Sequence, residues 1–219
     1  MTKIVWYGHS CYKIDNVLID PFIQNPLCDI PHKEIMDGVD VIAITHGHGD
    51  HIGNAEWLSK TYNVPIVAIY EVATYLGNDD VETIGMNIGG TVNINGAKIK
   101  MVKAEHSSDI DLNTPGGIAA GYIINDRVYH SGDTGLFGDM KLIGDIYKPD
   151  IVILPVGGRY TMGPEEVPYA IKMLSPKVFI PMHYNTFPEI EIDIDNLIKT
   201  VEGLGVKVIK PKVGEVLEI

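Results

Sequence analysis

Cysteine is scarce. Two occur in 219 residues, Cys11 and Cys28. They are too few for a disulfide framework and too far apart for a C-x-x-C pair, so free thiols in a reducing cytoplasm are expected. No run of 18 apolar residues is present that would span a bilayer. The opening MTKIVWYGHS passes straight into strand-like sequence without an apolar leader, so a soluble, unexported protein is expected. Positive charge is in deficit: 17 Lys and Arg against 29 Asp and Glu leave a formal net charge of −12, with no basic cluster. Such a chain repels polyphosphates and anionic lipid, which argues against nucleic acid or a membrane surface as the main partner. A Ser/Gly-rich linker and low-complexity tracts are missing too. With 45% hydrophobic and 21% charged residues, the composition is globular. The length fits one domain over residues 1–219, built from two fused α/β halves. A small-molecule substrate is the expected partner, and homo-oligomerisation stays open.

Short β-branched runs bounded by turn residues predict strands at 3–7, 11–14, 17–19, 39–44, 65–69, 91–94, 98–102, 118–124, 128–130, 151–154, 178–180 and 206–209. Asn95-Gly96 is the strongest hairpin signal, because both residues tolerate the positive φ of a type I′ turn. Asp15-Asn16 and Asn125-Asp126 are weaker versions. Hairpins bring antiparallel pairing, which disfavours a wholly parallel sheet. Helical periodicity covers 55–62, 70–76, 136–146, 164–174 and 194–204. Pro164 with Glu165 and Glu166 fits a helix start, and Gly205 fits the last helix's stop. Strands, helices, then strands and helices again suggest two packed sheets with helices on both outer faces.

The segment THGHGDHIGN gathers His46, His48, Asp50 and His51 within six residues, between the apolar run Asp40–Thr45 and a helical segment. His46 and His48 are two apart in extended chain, so both can face one metal. Asp50 and His51 follow Gly49, where the backbone can turn towards a second point. Gly47 and Gly49 let the main chain crowd an ion without Cβ clashes. At this chain's His and Asp frequencies, H-x-H-x-D-H by chance is roughly a one-in-a-thousand event. Crowded imidazoles repel one another once protonated, and a divalent cation gives them a reason to be together.

This cluster after an apolar strand resembles the signature of the metallo-β-lactamase superfamily, whose members share a four-layer αββα sandwich. The resemblance covers essentially the whole chain: His106 in KAEHS, Asp133 in HSGDT and His183 in IPMHY match later motif positions in order. It implies one divalent ion held by His46, His48 and His106. A second would be held by Asp50, His51 and His183, with Asp133 between the two. Ligation by His and carboxylate without thiolate suits zinc, and also manganese, iron or nickel. Gly8-His9-Ser10, the HSGDTG segment and PVGGRYTMGP further resemble small metal-dependent hydrolases of the lactonase-like and phosphodiesterase-like branches. Arg159 departs from that pattern, standing where His or Asn is more usual.

The resemblance implies a metal-dependent hydrolase in which a hydroxide bridging two metals attacks an ester, lactone or phosphodiester. Asp50 would orient the hydroxide and carry a proton to the leaving group. His9 is read as a contact to substrate or behind the metals, and Arg159 as a clamp for a carboxylate or phosphate. His130 reads as structural and His32 as surface. Tyr160 and Tyr184 read as pocket or core. An exported β-lactamase, a glyoxalase with a helical glutathione region, a basic RNA-processing nuclease and a flavodiiron enzyme each lack a signature here. The alternative on the same fold is a metal-dependent oxidoreductase or sulfur-handling enzyme, which a redox-inert ion would inactivate.

Overall fold

The computed structural model describes residues 1–219 as two seven-stranded mixed sheets with helices. Its strands are β1 (Lys3–Trp6), β2 (Tyr12–Ile14), β3 (Val17–Ile19), β4 (Val41–Ile44), β5 (Ile66–Ile69), β6 (Thr83–Met86), β7 (Thr91–Ile94), β8 (Ala97–Lys103), β9 (Ala120–Ile124), β10 (Val128–His130), β11 (Ile151–Pro155), β12 (Val178–Met182), β13 (Lys207–Val208) and β14 (Val216–Glu218). Its helices are α1 (His32–Ile35), α2 (Gly49–Ile52), α3 (Ala55–Tyr62), α4 (Tyr70–Leu76), α5 (Met140–Tyr147), α6 (Val167–Leu174) and α7 (Ile194–Glu202).

One sheet runs β14-β1-β2-β3-β4-β5-β6 and the other β13-β12-β11-β10-β9-β8-β7. Each has the same plan. The first is antiparallel from β14 through β3 and parallel from β3 to β6. The second is antiparallel from β7 to β10 and parallel from β10 to β13. The hairpins make the antiparallel parts. Asn95 (φ 48°) and Gly96 (φ 82°) close β7 on β8, and Asn125 (φ 52°) and Asp126 (φ 55°) close β9 on β10, so both are primed turns.

The strands β4, β5, β11 and β12 are buried at every position. Such uniformly apolar runs are what a strand between a second sheet and a helix layer requires. Helix α4 lies on β5 and β6, whereas α5, α6 and α7 pack in series, α7 reaching β13. This is the four-layer αββα arrangement, with 60 buried residues in one continuous core. Each wholly buried Ile or Val there contributes roughly 1.5–3 kcal/mol.

Several boundaries differ from expectation for local reasons. Helix α6 begins at Val167, not Pro164. Pro164–Glu166 form a turn in which Glu166 N donates to Gly163 O (3.0 Å) and the Glu166 carboxylate accepts from Gly163 N (3.1 Å). The first-turn proline is Pro168. Helix α5 likewise starts at Met140 after a turn rather than at Leu136. Helix α7 ends at Glu202, and Gly205 (φ 82°) lies beyond its stop. The strands β6 and β14 and the short helices α1 and α2 were not expected.

Candidate metal centre

Every predicted ligand follows the C-terminal end of a strand, the edge where open α/β sheets carry their sites. His46, Gly47 and His48 form a bend after β4 rather than the extended chain expected, and both imidazoles still share one ligand group. Helix α2 then lifts Asp50 and His51, with His48 (φ −66°, ψ 148°) as its N-cap. His106 follows β8, Asp133 follows β10, and His183 comes directly after β12. Two backbone constraints set these loops. A Cβ on Gly47 would run into the Ser108 carbonyl and Ile110, while Gly47 N donates to Ser108 Oγ (3.1 Å). Gly47 therefore admits the neighbouring loop, which corrects its reading as room for an ion; Gly49 has nothing within 4 Å of its Cβ position. Gly132 (φ 61°) turns the chain where a side chain would strike Ala120 O and Thr45. Glu105 N donating to Thr134 Oγ1 (3.0 Å) ties the His106 loop to the Asp133 loop.

The structure brings all seven side chains together. His46, His48 and His106 offer one ligand atom each within 4.8 Å of one another, and so do Asp50, His51, His183 and His9. Asp133 joins His46 and His51 in a third overlapping group, as a residue between two centres would. Nε2 of His46 and Nδ1 of His48 are 2.9 Å apart. Asp133 Oδ2 is 3.0 Å from His183 Nε2, 3.3 Å from His51 Nε2 and 3.8 Å from His106 Nε2. Cys11 and Cys28 take no part.

Burial pushes the imidazoles of His46, His48 and His106 below their ordinary range, His46 well below, with the nearby His51 adding to it for each. They present neutral lone pairs at neutral pH. For Asp133, burial works to raise the carboxyl, but His183 and His51 beside it prevail and hold it well below the usual range. Asp50 is similarly lowered against its burial, chiefly by the His9 hydrogen bond and the His51 charge. His51 is raised well above the usual imidazole: burial opposes this, and the flanking Asp133 and Asp20 carboxylates outweigh it.

Sequence reasoning missed Asp20. It is 0% exposed in the left-handed region (φ 47°), and its carboxylate accepts three hydrogen bonds. Oδ1 accepts from Thr45 N (2.8 Å), and Oδ2 accepts from Thr45 Oγ1 (2.7 Å) and His51 Nδ1 (2.8 Å). Because the Thr45 hydroxyl donates to Asp20, it accepts from His46 Nδ1 (3.0 Å). One carboxylate thus fixes the tautomer of two histidines, leaving Nε2 of both His46 and His51 free to ligate. An isolated Asp before Pro21 reads as a turn, so only its place at the end of β3 hinted at more.

The remaining candidates are placed as follows. His9 is buried behind Asp50, its Nε2 3.1 Å from Asp50 Oδ2 and its Nδ1 3.0 Å from Thr186 Oγ1. His130 donates from Nε2 to Ser10 O (3.1 Å) and accepts at Nδ1 from Gly132 N (3.2 Å), so both ring nitrogens are spent on the backbone. His32 is half-buried beside Tyr62 and Trp57. Tyr184 is in the core, stacked on Trp6. A cavity of about 280 Å³ opens over the cluster, lined by His48, Asp50, His106, Ser107, Asp133, Tyr160 and His183. Tyr160 is 54% exposed at its edge, and Arg159 lies outside the lining with its guanidinium 5.3 Å from the Tyr160 ring centroid.

The donor set fits divalent cations. His51 Nε2 and Asp133 Oδ1 are buried with no hydrogen-bond partner. A buried polar atom left unpaired costs about 1–3 kcal/mol, and a cation among imidazole and carboxylate ligands is the partner these two suit.

Comparison with known proteins gives the family. Residues 15–184 match the beta-lactamase superfamily domain. A UPF0173 metal-dependent hydrolase of Methanocaldococcus jannaschii is 65% identical over 216 residues, covering 99% of this chain and 100% of that one. One from Archaeoglobus fulgidus is 43% identical over 229 residues, covering 99% and 98%. Among solved structures, the metallo hydrolase Igni18 of Ignicoccus hospitalis superposes with a TM-score of 0.90 at 36% identity, over 99% of this chain and 97% of that one.

Proposed function

The chain belongs to the beta-lactamase superfamily and is a metal-dependent hydrolase, and from that premise we propose that it holds two divalent cations, zinc foremost, and cleaves an ester, lactone or phosphodiester of a small molecule. The observation that carries the proposal is the convergence of His46, His48, His106, Asp50, His51, His183 and Asp133 in overlapping ligand groups beneath one cavity, which His48, Asp50, His106, Asp133 and His183 line. His46, His48 and His106 would hold one ion; Asp50, His51 and His183 the other; Asp133 would lie between. When bound, such ions lower the pKa of water towards neutrality and polarise the oxygen that gains charge.

The protein's own groups do the rest. The Asp50 side chain is 33% exposed to the cavity while His9 holds its Oδ2, so it can orient an attacking water and pass a proton to the leaving group. Tyr160 at the cavity edge meets the substrate, and Arg159 beside it supplies a positive charge for an anionic one. The free thiols Cys11 and Cys28 support work in a reducing cytoplasm. No helix is long and apolar enough to cross a membrane. Zinc-loaded protein assayed on chromogenic esters, lactones and phosphodiesters should turn over at least one class, and chelation should abolish it. Fully loaded protein inert on all three would overturn the bond assignment.

A further inference from the structure

His9 is buried away from the cavity lining, yet its residue touches ligand loops from both halves of the fold. Its side chain meets Asp50 of the α2 loop at 3.1 Å, which is the only hydrogen bond of the Asp50 carboxylate. The other ring nitrogens near that oxygen, on His51 and His183, are 3.9 Å away. The His9 carbonyl accepts from His183 N (3.2 Å), directly after β12, and from Trp6 Nε1 (2.9 Å). Thr186, three residues past His183, faces Nδ1 at 3.0 Å. The ring itself is wedged against His183, with centroids 4.1 Å apart, and edge-on to Phe22 and Phe187.

The backbone reinforces this. Gly8 (φ 88°) and His9 (φ 51°) are consecutive left-handed residues. Asn25 clamps the bend by donating to Tyr7 O (2.9 Å) and Phe22 O (2.7 Å). A non-glycine residue stays in that region only when its surroundings hold it there. Other residues hold the other ligand group: His48 meets Ser107 Oγ (3.2 Å), and His46 meets Thr45, which Asp20 fixes; neither hydrogen-bonds to His9.

We propose that His9 is a positioning residue for the second cation alone: it orients Asp50 through Nε2–H and ties the His183 loop through its carbonyl, leaving the His46–His48–His106 centre independent. With Nε2–H given to Asp50, Nδ1 of the neutral ring faces the Thr186 hydroxyl at 3.0 Å, a closer acceptor for its proton than Tyr184 O at 3.4 Å. The inference rests on the two-cation reading above.

The test is a zinc titration of metal-free protein against a competing chelator, with cadmium NMR of the loaded protein. His9→Phe keeps the packed ring and removes its polar atoms. Thr186→Val removes the hydroxyl at similar volume, and Thr186→Ser should restore it. The second ion's affinity should fall about 10–100-fold in His9→Phe and in the same direction in Thr186→Val, as for other groups that orient metal ligands. The first ion's affinity should stay put, and one of two cadmium resonances should move. Two ions bound to His9→Phe with unaltered affinities, or equal loss at both, would overturn the role given to His9 while leaving the two-cation reading intact. A parent protein that takes up a single ion would overturn both.

Discussion

Replacing Asp20 by Asn tests how a carboxylate outside the ligand set governs the metal centre. The buried Thr45 N–H must keep an acceptor, so the amide oxygen takes the Oδ1 position and the NH2 group the Oδ2 position. That NH2 faces Thr45 Oγ1 and His51 Nδ1, both of which donate to Asp20 in the parent. His51 must then accept at Nδ1 and carry its proton on Nε2, losing the lone pair that would ligate. Thr45, now accepting from Asn, turns its hydroxyl hydrogen towards His46 Nδ1 and inverts that ring too. Exchanging three charge-assisted hydrogen bonds for neutral ones costs roughly 1 kcal/mol each, about 3 kcal/mol in all. At about 2–4 °C per kcal/mol for a chain this size, the metal-free protein should melt roughly 6–12 °C lower. Affinity for both ions should drop about 10–100-fold, unlike the one-sided effect expected at His9. Scanning calorimetry and zinc titration read the two effects separately. Parent-like affinity at both centres, in a protein whose melting has fallen, would refute the tautomer argument.

Three further outcomes follow from particular contacts. His51 is held above the usual imidazole range by Asp133 and Asp20, so a cation arriving at Nε2 displaces a proton. Affinity should therefore rise with pH while that proton remains on the metal-free protein; calorimetry in buffers of different ionisation heat measures it, and uptake without proton release contradicts it. Gly47→Ala drives a methyl into the Ser108 carbonyl, for a loss of about 1–3 kcal/mol seen as a lower melting temperature; an unchanged melt would mean the 107–110 segment yields freely. Arg159→Ala should slow hydrolysis of anionic esters several-fold more than neutral ones, and equal losses would reject an anion-holding role.

The candidate ligand cluster was legible because its chemistry is conspicuous: His46, His48, Asp50 and His51 crowd into one loop, and His106, Asp133 and His183 each follow a strand-like run. The buried strands were legible because β4, β5, β11 and β12 are apolar throughout. The elements that escaped are those whose pattern is diluted by exposure. Strand β6 is half exposed with Gly85 inside it, and β14 is an edge of alternating exposed residues whose partner, β1, lies at the other end of the chain. Helices α1 and α2 are four residues long, too short for periodicity to register. Asp20 was invisible for a different reason. Its three donors come from residues 25 and 31 positions away, a relation that only the parallel pairing of β3 with β4 creates.

The most direct test of the central claim is a crystal structure of zinc-loaded protein with anomalous scattering recorded at the zinc edge. Two peaks should appear, one among His46, His48 and His106, the other among Asp50, His51 and His183, with the Asp133 carboxylate between them. A single peak, or density that leaves either group of side chains without an ion, would contradict it.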